Sequence, residues 1–129
     1  MAKSKIQFET VSYGMYSEWD RKSKELPTIK KFTLEIPAKV GVEFGYILNI
    51  KRAKGKQISF CIDHPPFNDS KGKPAAPFTG DVYVRTNDWN FFIGDTIWEP
   101  IYDKVGPWRI TVELDGQLLE DKTFQIVGD

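Results

Sequence analysis

The sequence predicts an all-β protein, an antiparallel β-sandwich of about seven to eight short strands. Three observations carry this. Apolar and polar side chains alternate with a period of two along most of the chain. Turn formers and prolines fall between those runs. No stretch with a helical period has enough apolar residues to bury a face.

Taken in order, Ile6 to Tyr16 reads as a first, weak strand. Residues 17–27 form a charged connection that contains Trp19. Within it, Glu18 to Leu26 is the best helix candidate, but it is too polar to bury a face and is closed by Pro27. Phe32, Leu34 and Ile36 alternate with Lys31, Thr33 and Glu35, which sets the first three inward. From Val40 to Ile50 every even position is apolar or aromatic, the pattern of a long half-buried strand. Lys51-Arg52-Ala53-Lys54-Gly55-Lys56 reads as a solvated hairpin tip, whose charge also discourages edge aggregation. Ile58, Phe60 and Ile62 then alternate with Gln57, Ser59 and Asp63, with Cys61 on the outer phase.

Residues 64–80 form a long connection rich in proline and glycine, of the kind that is usually functional or mobile. Weak strands follow at Asp81 to Thr86 and Phe91 to Ile93. Trp108, Ile110, Val112 and Leu114 alternate with Arg109, Thr111 and Glu113. Asp115-Gly116 is a type I′ hairpin signal, because both residues tolerate positive φ. The returning strand runs from about Gln117 to Val127, with Phe124 and Ile126 inward.

A chain of 129 residues is one domain's worth, read as a single unit over 1–129. It is long enough to fold without disulfides or metal. Cys61, the one cysteine, excludes an internal disulfide framework. Eighteen basic and eighteen acidic side chains cancel, which argues against a globally basic nucleic-acid binder. The cancellation is uneven: residues 1–60 hold 12 basic and 6 acidic side chains, and the rest hold 6 and 12. Salt-sensitive self-association of the chain is therefore expected to be open to it. Apolar runs are too short to span a membrane, and no leader-like stretch follows Met1. The expectation is a soluble, cytoplasmic protein; an exported protein whose leader had been replaced by Met1 would read the same. Asn68-Asp69-Ser70 fits an N-glycosylation triplet, a weak signal at three residues.

Several of these residues carry a resemblance. Ile36-Pro37-Ala38, Gly41, Phe44-Gly45, His64-Pro65-Pro66, Gly106-Pro107-Trp108, and Asp115-Gly116 with Phe124-Gln125-Ile126 together resemble a family of uncharacterised bacterial domains. The resemblance covers roughly Ile6 to Val127. It implies an immunoglobulin-like β-sandwich of unknown function, and it carries over no catalytic or binding residue. The antibody type is a poor match, since the paired cysteines are absent.

Candidate chemistry is sparse. His64 is the only histidine and follows Cys61 and Asp63. In a strand Cys61 and Asp63 share one face while His64 points to the other, which argues against a local Cys–His dyad. Before two prolines, His64 reads as the end of a strand. One His and one Cys are too few for a dedicated zinc site, and Asp63, Asn68, Asp69 and Asp81 lack the ordered spacing of a calcium loop. No metal or cofactor is expected. No nucleophile elbow, phosphate loop or dinucleotide fingerprint is present.

Aromatic side chains make up 14% of the chain. Phe32, Phe44, Tyr46, Phe60, Trp108 and Phe124 fall on inward phases and read as core. Trp19, Trp89, Trp98 and Tyr102 sit near loops or strand ends. They either plug the ends of the sandwich or present rings to a protein or a sugar. The reading is a non-enzymatic binding module, with loops 64–80 and 87–104 as the recognition surface and Trp89, Trp98, Tyr102 and His64 as its residues. The partner would be a protein or, alternatively, a glycan stacked on exposed Trp and Tyr; nucleic acid and membrane are not expected. A small enzyme built on His64 is the remaining alternative.

Overall fold

A computed structural model describes residues 6–17, 26–68 and 71–128. Trp19, nearly all of the Glu18 to Leu26 helix candidate and part of the Asn68-Asp69-Ser70 triplet therefore lie outside the described residues. Among those described there are nine strands and no helix: β1 (Gln7–Tyr16), β2 (Ile29–Lys31), β3 (Glu35–Pro37), β4 (Glu43–Lys51), β5 (Gln57–Asp63), β6 (Phe78–Tyr83), β7 (Asp88–Thr96), β8 (Gly106–Leu114) and β9 (Gln117–Val127). Four make one sheet in the order β2-β1-β4-β7, and five make the other in the order β3-β9-β8-β5-β6. Phe44, Tyr46, Leu48 and Ile50 on β4 pack against Ile58, Trp108, Ile110, Val112 and Phe124 of the second sheet. Tyr46 crosses the core, where its hydroxyl donates to the Ile110 carbonyl at 2.7 Å.

The β8–β9 hairpin forms as its sequence dictates. Asp115 and Gly116 have φ of 51° and 80°, the left-handed pair that a type I′ turn requires. Beyond the turn, β9 carries an extra residue opposite Val112 and Glu113. The bulge turns Leu119 into the core and leaves Leu118 exposed.

Five expectations need correction. The strand within Val40–Ile50 is buried on both faces rather than half-buried. Its outer face at Ile47 is covered by Tyr16 and Phe92, with Leu26 and Ile29 packed on them. Phe32 and Leu34 are exposed by 58% and 42%, not inward. Residues 32–34 belong to no strand, because the chain leaves β1 after Lys31 and joins β9 at Glu35. That pairing with β9 is parallel, against an otherwise antiparallel arrangement. Finally, residues 87–104 are not one loop. Asp88–Thr96 is the edge strand β7, paired along its whole length with β4, and Trp89 lies within it opposite Ile50. The 64–80 connection likewise gives way to β6 at Phe78.

The crossing from β2 to β3 closes one flank of the sandwich. The opposite flank is bordered by β6 and β7, the outermost strands of their two sheets, joined by the turn at 84–87.

Candidate functional site

Two of the residues singled out in the sequence, His64 and Trp98, come together at one end of the sandwich through Phe67 and Phe78. His64 follows β5, while Trp98 and Tyr102 lie in the 97–105 connection between β7 and β8. Trp89 is at the other end, beside the basic tip at Lys51–Lys56. It is half-buried, stacked on Phe91 with ring centres 5.1 Å apart.

The His64 end is an aromatic plug. The imidazole stacks on Phe67 at 4.2 Å and lies 4.8 Å from Phe78. Trp98 meets Phe67 and Trp108 edge-on at 5.6 and 6.0 Å. Lys104 is driven into this cluster with 1% exposure. Its ammonium sits 4.5 Å from the Trp98 ring and 4.6 Å from Phe67, and it donates to the Pro100 carbonyl at 2.9 Å and to Asp103 at 2.6 Å. The aromatic faces and these acceptors replace the water that a buried cation loses. The Trp108 indole donates to the Lys104 carbonyl at 2.8 Å, which fixes the connection over the core. Tyr102 stands apart from the plug, 80% exposed.

The titratable groups are poorly disposed for catalysis. His64 Nδ1 lies 2.8 Å from the Pro65 carbonyl and Nε2 lies 2.9 Å from the Ala76 carbonyl. Both nitrogens lie against carbonyls of the 64–77 connection, so the ring holds its two ends together. Burial pushes the Cys61 thiol up, with Asp63 adding to the effect and Arg109 opposing it, which disfavours the thiolate that nucleophilic attack needs. Arg109 holds Asp121 through two bonds of 2.9 and 2.6 Å. That bonding keeps the Asp121 carboxyl below the usual carboxylate range. Among the described residues no group of three or more His, Cys, Asp or Glu side chains is placed to hold a metal ion.

A recess of about 390 Å³ is bordered by Asp63, His64, Pro107 and Arg109, and one with more apolar lining side chains lies elsewhere. A cleft of about 370 Å³ opens on the flank between β6 and β7. Phe78 and Val82 form one wall, Phe91 and Ile93 the other, Phe60 the floor, and Asp95 the one charged lining side chain. Gly80 is what makes room on β6: a Cβ there would come within 2.6 Å of the Phe60 ring. Of these positions the sequence marked only Phe60 as inward, placed Phe78 in the 64–80 connection, and gave no sign of an opening. Sheet order decides that, and only the pairing of distant strands reveals it.

This arrangement of two sheets, a parallel β3–β9 contact and a hairpin-linked second sheet is the immunoglobulin-like β-sandwich. An immunoglobulin-like protein from Pseudomonas aeruginosa, solved by crystallography, superposes with a TM-score of 0.77 at 20% identity, over 98% of this chain and 100% of that one. Residues 4–126 match a family described as a domain of unknown function, DUF3859, and the chain belongs to that family. No curated protein matches. None of the helices that the described residues could supply is long and apolar enough to cross a membrane.

Proposed function

We propose that the domain is a non-enzymatic interaction module and that its recognition surface is the cleft between β6 and β7. The observation that carries this is an open, preformed apolar recess between the outermost strands of the two sheets. A volume of about 370 Å³ accommodates a few side chains of a protein partner. Each fully buried apolar side chain stabilises by about 1.5–3 kcal/mol, against several kcal/mol lost on association, which gives transient rather than permanent contacts. A glycan reading is less well supported. Sugar stacking needs a free ring face, and one face of Trp98 is taken by the Lys104 ammonium.

Photo-crosslinking in living cells tests the proposal. A benzophenone side chain at Phe91 faces the cleft, and one at Tyr83 stands 64% exposed on the outer face of β6. Discrete protein adducts from position 91, absent from position 83, are the expected result. The same adducts from both positions would place recognition elsewhere.

A further inference from the structure

We infer that His64 is a proton-operated clasp on the 64–77 connection: its doubly protonated ring bonds both ends of the connection, and its neutral ring can bond only one. This goes beyond the reading of the cleft and does not depend on it.

The hydrogen-bond inventory carries the inference. Nδ1 lies 2.8 Å from the Pro65 carbonyl oxygen, at the start of the connection, and Nε2 lies 2.9 Å from the Ala76 carbonyl oxygen, near its end. A carbonyl oxygen only accepts. A neutral imidazole has one N–H, so either tautomer turns a bare lone pair on one of the two oxygens. With the proton on Nδ1, Nε2 faces the Ala76 oxygen lone pair to lone pair, and the two ends are pushed apart. With the proton on Nε2, the same repulsion falls on Pro65. Only the imidazolium donates to both. Histidine is the side chain whose charge ordinarily changes between about pH 5 and 8, the range in which such a clasp operates.

The surroundings hold the ring in place for either form. It stacks on Phe67 and lies 4.8 and 5.6 Å from Phe78 and Trp108, rings that accept a cation as well as a neutral imidazole. Charges of both signs flank it. Asp63 precedes it on β5 and favours the cation. Arg109 on β8, opposite Asp63, opposes the cation but is itself bonded to Asp121 of β9. Lys104 of the 97–105 connection shares the Phe67 ring and also opposes it, offset by Asp103 at 2.6 Å. β6 brings Phe78 to the ring, while its Asp81 is bonded to Ser59. On the connection itself, Lys71 and Lys73 are exposed beyond the bridge of Asn68 to Pro74. These charges offset one another in pairs, which leaves the two carbonyls to decide. Inside the clasp, the Ala75 N–H donates to the Phe67 carbonyl at 2.9 Å, and Phe67 packs on the core. Loss of one His64 bond therefore loosens the base of the connection without freeing the plug.

The test follows ring and connection together in the isotope-labelled chain. Long-range nitrogen–proton correlations count the protons on the His64 ring. Carbonyl-carbon shifts of Pro65 and Ala76 read its two bonds, and relaxation dispersion of the 67–76 amides reads the order of the connection. From about pH 8 to about pH 5 the ring should pass from one N–H to two. Both carbonyl shifts should follow with the same midpoint, and exchange broadening over 67–76 should fall several-fold. His64→Phe keeps a ring in the stack and removes both bonds. It should lose the pH response and remain broadened at the acid end. A ring whose proton count does not change over that range would overturn the clasp. So would a ring that gains its second proton while the Pro65 and Ala76 shifts and the broadening stay unchanged; both of these outcomes are read on the parent protein alone. The same pH response in His64→Phe would assign it to another group and would also overturn the inference.

Discussion

Lys104 and two tyrosines show how single side chains set stability here. Lys104 is buried, yet each of its partners is supplied from close by: Pro100, Asp103 and the rings of Trp98 and Phe67. Lys104→Met keeps the stem and removes the charge, leaving Asp103 and the Pro100 carbonyl without their donor. A loss of about 2–3 kcal/mol in urea unfolding is expected. A variant as stable as the parent would show that the cation contributes nothing net. The buried tyrosines set the alkaline limit. Burial pushes Tyr16 up to about 12, partly offset by its bond to Ser12, and burial raises Tyr46 as well. In the unfolded chain both ionise near 10. Above that pH the unfolded state sheds protons that the folded state retains, so stability is full below about pH 10 and falls as pH rises toward 12. Urea midpoints measured from pH 8 to 11 should stay level and then decline, and Tyr16→Phe should flatten part of the decline. A midpoint unchanged at pH 11 would contradict this account.

At the level of strands, what could be read from the chain depended on whether the signal was local. The β8–β9 hairpin was legible because Asp115-Gly116 and the alternation around it are local facts. Gly116→Val forces a branched side chain to φ near 80° and should cost about 1–2 kcal/mol, read by thermal unfolding; no loss would mean the turn has another conformation. Phe32 and Leu34 were misread for the opposite reason. Their alternation is perfect, but the strand they suggest is cut where the chain passes from one sheet to the other. The strand β7 was underestimated because Asp88, Asn90 and Gly94 dilute its pattern, while its pairing with β4 holds it together. Trp98 and His64 stand out in the sequence, one near a strand end and the other the only histidine. Whether a ring near a strand end is a plug or a platform depends on what lies opposite it, here Phe67, Phe78 and Lys104. Sequence spacing does not carry that information.

For the whole molecule, the proposed recognition surface rests on an asymmetry between flanks. One flank is closed by the passage from β2 to β3, and the other is left open between β6 and β7, around an apolar recess with Asp95 as its one charged lining side chain. The central claim is that this open edge is available in the free protein. Amide hydrogen exchange of the free chain tests it most directly. Every second amide along β7 should exchange much faster than the amides of β8, which is enclosed between β9 and β5, and the intervening β7 amides, bonded to β4, should be slow. Uniform protection along β7, equal to that of β8, would show the edge already covered and would contradict the account.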